Sequence, residues 1–180
     1  MSFLEELQLR LRNRTLKRLV REKKFQREER DFTTSERIAI LFEDVPQTDR
    51  WQELASYVKK MQQAGKSVRL LGYVAQKHPE RIYEYPLFTS KDVDWQLRPT
   101  SEVVQEFLSP VYDLLLVINP NNNLHLEFIS TLCKAHLRIG PPSAEIDAYD
   151  LMIETNEAFD VRNYLRTADR IIAKTKAHGS

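Results

Sequence analysis

A chain of 180 residues, 42% of them hydrophobic, has room for one domain with a true core and little room for a second. Its single cysteine, Cys133, excludes an internal disulfide and any Cys-based zinc module, which favours a reducing cytoplasm. No apolar run approaches the roughly 18 residues of a membrane span, and the N-terminal segment lacks the apolar core of a signal peptide. The formal net charge is only +1, yet it is spread unevenly. Residues 1–31 hold ten Lys and Arg against six Asp and Glu, and from Arg10 to Arg27 nine basic residues stand beside Glu22 alone. The remainder is mildly acidic, so the chain divides into a basic arm, residues 1–31, and a body, residues 35–177.

From Phe3 to about Glu29 the chain contains neither Gly nor Pro and is rich in Leu, Arg, Lys, Glu and Gln. This predicts one long helix, opened by a Ser2/Glu5 capping box. At 100° per residue, Phe3, Leu4, Leu7 and Leu11 fall on one side, and Leu9, Leu16, Leu19 and Val20 fall on another. A divided stripe predicts a helix that docks loosely on its own body or docks on something else. The apolar run Arg37–Phe42 reads as a buried strand, and Trp51, Leu54, Val58 and Met61 mark a helix over 48–64 closed by Gly65. A second strand, Val68–Val74, completes a βαβ unit. Residues 75–99 lose periodicity, with one short strand within Ile82–Phe88. A helix over Ser101–Leu108 leads to the most apolar strand, Tyr112–Ile118, and a helix over Leu124–Ala135 follows it. Strands at Leu137–Gly140 and Asp150–Ile153 and a helix over Asp160–Lys176 complete the body. The alternation implies a doubly wound, mainly parallel α/β sheet of Rossmann-like type, with the first strand beside both the second and Tyr112–Ile118.

Glycine-rich phosphate loops and the G-x-S-x-G elbow are absent, and the four histidines have no metal-ligand spacing. No catalytic residue, metal site or cofactor is therefore assigned. In a doubly wound sheet, ligands settle where neighbouring strands send their connections to opposite faces. That rule brings Glu43 and Asp44 to one crevice with Asn119, Asn121, Asn122 and Asn123. Asn and Asp are also the preferred caps and turn residues, and that simpler role takes precedence here. Ser90, Asp92, Asp94 and Trp95, in the irregular middle segment, likewise read first as loop caps and edge packing. Cys133 is expected within its helix, as a small buried hydrophobe.

The segments "RIAILFED", "GKSVRLLGYV", "FTSKDVDW", "YDLLLVINPNNNLHLEFISTLCKAHLRIG" and "YDLMIE", behind a basic leader helix, resemble an uncharacterised family of small cytoplasmic Bacteroidota proteins. The resemblance implies a Rossmann-like body and a cytoplasmic setting. Tyr112–Gly140 alone is also similar to the N-terminal half of heptosyltransferase-type glycosyltransferases, which close two such halves over a nucleotide sugar.

The arm carries more positive charge than solubility requires, and a basic helix is a common footprint for phosphate backbones. The expected function is a non-enzymatic binding or adaptor protein. Its helix would contact RNA, ribosomal RNA by preference, or an acidic protein partner through Arg10, Arg14, Lys17, Arg18, Arg21 and Lys24. One alternative is a small nucleotide- or sugar-binding transferase working in the crevice; another is a structural homodimer paired through the leader helices. The sequence sets no oligomeric state.

Overall fold

The structure is a computed structural model that describes residues 3–22, 25–28, 31–45, 50–143, 147–154 and 159–175. Within these residues six strands form one parallel sheet: β1 (Arg37–Glu43), β2 (Ser67–Val74), β3 (Leu87–Thr89), β4 (Val111–Ile118), β5 (Lys134–Gly140) and β6 (Leu151–Met152). Their order, β3-β2-β1-β4-β5-β6, is the doubly wound Rossmann arrangement. β1 pairs with β2 from Arg37 opposite Ser67 to Glu43 opposite Tyr73, and with β4 from Ile38 opposite Leu114 to Phe42 opposite Ile118. Both central strands are buried nearly end to end, as the continuous apolar runs require of strands covered on two faces.

Among the described residues five α-helices flank the sheet: α1 (Phe3–Glu22), α2 (Arg50–Gln63), α3 (Glu102–Leu108), α4 (Leu124–Leu132) and α5 (Val161–Lys174). The strand pleat sends alternate residues to opposite cores. On one face Ala39, Leu41, Leu115 and Val117 pack with Phe107 of α3 and with Leu126 and Ile129 of α4. On the other, Ile38, Ile40, Leu114 and Leu116 pack with Leu54 and Val58 of α2 and with Tyr164 and Leu165 of α5. Polar ties fix the ends of the central pair. Asp113 Oδ2 accepts the backbone N–H groups of Glu36 and Arg37 at 2.9 Å each, and the Tyr164 hydroxyl donates to Val117 O at 2.8 Å. Gly65, at φ +79°, closes α2 in the left-handed conformation that favours glycine. Gly72 lies beneath the Tyr85 ring, where a Cβ would collide.

Several boundaries differ from the sequence expectation. The leader helix stops at Glu22 instead of near Glu29, because Phe25 packs on the His136 ring at 5.1 Å and the Glu28 N–H donates to His136 Nδ1 at 3.1 Å. Tertiary contacts there override helix propensity. Helix α4 ends at Leu132, and Cys133 caps it by donating its N–H to Ile129 O and Ser130 O; β5 then begins at Lys134. The short strand of the middle segment is Leu87–Thr89 alone. Ser2, and the capping box that depended on it, lies outside the described residues.

α1 does have a seat on the body. It packs on α4, with Arg12 fully buried and Leu16 nearly so. Arg12 Nη2 donates to Leu124 O at 2.8 Å, Nη1 donates to Asn13 Oδ1 at 2.8 Å, and the guanidinium sits 5.8 Å from the centre of the Phe128 ring. Of the two apolar stripes, the one with Leu9, Leu16, Leu19 and Val20 is turned toward the body, and the one with Phe3, Leu4 and Leu7 is exposed. Replacing Arg12 by Ala removes a charged hydrogen bond and the packing of its stem, a loss of about 2–3 kcal/mol. Hydrogen exchange should then accelerate across Phe3–Glu22 while the β1 and β4 amides keep their protection.

Candidate functional site

Two surfaces collect polar residues. The first is the outer face of α1. Arg10, Arg14, Lys17 and Arg21 recur at helical spacing, so they share one stripe with Arg18 at its margin. With a rise of 1.5 Å per residue the stripe runs about 16 Å from Arg10 to Arg21. All five are exposed, and together with Asn13 they line one surface cleft. Arg10 pairs with Glu6 at 2.6 Å and Arg18 approaches Glu22 at 3.9 Å, both exposed pairs one helical turn apart that contribute little. Arg14, Lys17 and Arg21 have no acidic partner among the described residues. Lys24 lies outside the described residues.

Not every cation of the arm points outward. Arg12 faces α4, and Arg27, though exposed, is engaged by Asp150, which also receives Arg138 Nε at 3.1 Å and Nη2 at 2.9 Å. A charge count treats all these residues alike. The signal that separates Arg12 was its place on the Leu16 and Leu19 side of the helix, where a long aliphatic stem can be buried.

The second surface is the crevice at the carboxyl ends of β1 and β4. It is a true switch point, since β1 leads to α2 on one face and β4 leads to α4 on the other. The six residues expected there are brought together, and Glu43, Asn119, Asn121 and Asn123 hydrogen-bond among themselves. Glu43 accepts from Asn121 Nδ2 at 2.6 Å and from Asn123 Nδ2 at 3.2 Å. Asn123 is the N-cap of α4, its Oδ1 accepting the His125 N–H at 2.9 Å. Asn119, fully buried, accepts the Asn123 N–H at 2.7 Å and donates to Asn123 O at 3.1 Å. Asn122 takes the left-handed turn conformation at φ +51°. Asp44 accepts from the Tyr85 hydroxyl and pairs with Arg81 at 2.7 Å. Burial, then the hydrogen bond to Asp44, pushes the Tyr85 phenol well above its ordinary range. Chemically the crevice is a capped turn with the Glu43 carboxylate at its edge and Asp44 buried in a pair with Arg81, a poor receptor for phosphates.

The middle segment is equally well tied. Asp92 closes a capping box with Thr89. Asp94 accepts the N–H groups of Gln96 and Arg98 at 2.9 and 3.0 Å and pairs with Arg98 Nη2 at 2.6 Å. Burial acts to raise the Asp94 carboxyl, but these Arg98 and Gln96 contacts outweigh it and hold the group below its ordinary value. Trp95, expected as edge packing, stands exposed at the tip of this loop. The described residues contain no cluster of three metal-ligating side chains and no helix long and apolar enough to cross a membrane.

A model of a family of unknown function, DUF6913, matches residues 8–168, which include the docked helix from Gln8 onward, the six described strands and the crevice. The chain belongs to that family. No curated protein and no solved structure matches it. Family membership therefore covers both surfaces and assigns a role to neither.

Two outcomes test the capping role. Asn123→Ala should cost about 1 kcal/mol in urea unfolding, as the loss of an N-cap does. Asn122→Gly should be neutral within a few tenths, because glycine accepts the left-handed turn without strain. His125 supplies a pH test. Burial lowers its imidazole below the ordinary 6.5, and the charge of Arg12 adds to this against the hydrogen bond to Leu97. The folded state thus resists a proton that the unfolded chain accepts. Stability present above pH 6.5 falls as pH drops toward the folded value, and His125→Gln should flatten the thermal midpoint over that interval.

Proposed function

We propose that this protein is a non-enzymatic, cytoplasmic binding protein whose α1 stripe grips the phosphates of RNA, with ribosomal RNA as the preferred partner and the body as an adaptor surface. One observation carries the reading. Arg14, Lys17 and Arg21 are exposed on one line of a helix that Arg12 anchors from behind, and no acidic side chain among the described residues neutralises them. A folded protein gains nothing from lining up unpaired cations, whereas a chain of phosphates offers counter-charges at regular intervals. The anchored seat also favours binding, because a helix already held in place loses little freedom when a partner arrives. The crevice, with Glu43 holding the amides of Asn121 and Asn123 and Asp44 buried against Arg81, speaks against a transferase acting on nucleotides or nucleotide sugars.

The test is a salt titration of binding to a mixed-sequence RNA, comparing the native chain with an Arg14→Gln, Lys17→Gln, Arg21→Gln variant. Gln keeps helix propensity, and all three positions are exposed, so folding should be unchanged. Affinity should fall, and the slope of log K against log salt should become shallower by about two to three, the counterions no longer released at three phosphates. Equal affinity and equal slope in the two proteins would refute the electrostatic role.

A further inference from the structure

The same face of α1 has a second feature that charge does not explain. Its first two turns expose Phe3 (81%), Leu4 (68%) and Leu7 (39%), and Trp95 (61%) is exposed on the loop before α3. These are not scattered. Gln8 Nε2 donates to Trp95 O at 2.9 Å, which ties the Trp95 loop to the N-terminal end of α1. Phe3 and Leu7 lie on the line that continues as Arg10, Arg14, Lys17 and Arg21. The exposed apolar side chains of the first two turns are therefore continued along α1 by a track of cations, and the Trp95 loop is tied alongside that end of the helix through Gln8.

The loop that presents Trp95 is stiff. Asp94 gathers Gln96 and Arg98, Val93 bridges Pro99, and Leu97 is held at φ +60°, a costly conformation for a bulky L-residue. His125 Nδ1, at the start of α4, lies 3.3 Å from Leu97 O. A large aromatic held outward by so many contacts is a poor way to bury a side chain and a good way to offer one.

We infer that this surface binds single-stranded RNA, with Trp95 and Phe3 as stacking platforms for unpaired bases and the Arg10–Arg21 stripe following the phosphates; the inference rests on the RNA reading above. Aromatic faces beside a basic track are what unpaired nucleotides require, since every base has a face to stack and every linkage a charge. A duplex hides its bases and would leave the aromatic end idle. A bilayer fits less well. A helix lying in a membrane needs an apolar face along its length, whereas here the apolar side chains stop after the first turns and the remaining inner face is taken by α4.

The experiment uses the full chain with a short labelled oligouridylate, a labelled RNA duplex of equal length, and anionic phosphatidylglycerol vesicles. The native protein should bind the oligouridylate more tightly than the duplex and quench tryptophan fluorescence on binding. A Trp51→Phe variant should retain that quench. Trp95→Leu with Phe3→Leu should lose it and weaken oligouridylate binding roughly tenfold or more, with duplex binding and the salt slope unchanged. If both RNAs bind alike and the double variant changes nothing, stacking is wrong while the phosphate reading stands, as the Gln variant will show separately. If neither RNA binds, both fail. Sedimentation with the vesicles, or a concentration-dependent dimer abolished by Leu4→Glu, would then identify the occupant as a membrane or a second copy.

Discussion

The rest of the structure depends on the pairing of β1 with β4. Both strands are covered on both faces, so their charged side chains lie toward their ends: Arg37 and Glu43 bound β1, and Asp113 ties down its start. Desolvation drives this arrangement, because backbone polar groups at the centre of the molecule are satisfied by ladder bonds, with the Tyr164 hydroxyl added at Val117 O, and apolar side chains fill both cores. Polar groups are thereby displaced to the strand ends and outer helices. Since α2 and α4 leave on opposite faces, a crevice at the carboxyl ends is a geometric consequence of the topology and not by itself a sign of a ligand. The chain closes it with capping amides and carboxylates.

The second layer of organisation is the seat of α1. A helix carrying this much positive charge would ordinarily be a loose arm, and one buried guanidinium changes that. Arg12 binds the Leu124 carbonyl at the start of α4 and lies by Phe128, while Phe25, Arg27 and Glu28 hold the following segment to His136 and Asp150. The helix is fixed at its middle and beyond its end. Its remaining cations consequently face solvent in a set direction, and the exposed Phe3 and Leu7 are placed in line with them.

Much of the fold was legible because its strands are long, apolar and punctuated. Ile38–Phe42 and Leu114–Ile118 could be little else, and the switch point followed from the order of elements. The helix-to-strand change at Cys133 was not legible, since Ile129 to Ile139 is apolar at intervals compatible with either period and Ala135 favours helix while sitting in β5. Membership of both Glu43 and the asparagines in one crevice was readable; that they satisfy one another was not, because side-chain pairing depends on distances that sequence order does not specify. Arg12 was hidden among ten similar charges. Trp95 was misread because aromatic residues in irregular segments usually pack inward, and its outward display depends on a turn built around Asp94 and Leu97.

Ultraviolet cross-linking of the intact protein to cellular RNA, followed by mass spectrometric mapping of the attached peptides, addresses the central claim most directly. Nucleotides should be found on peptides spanning Phe3 to Arg21 and on the peptide containing Trp95. Cross-links confined to the peptides of Glu43, Asp44 and Asn119 to Asn123, with none on α1, would contradict it.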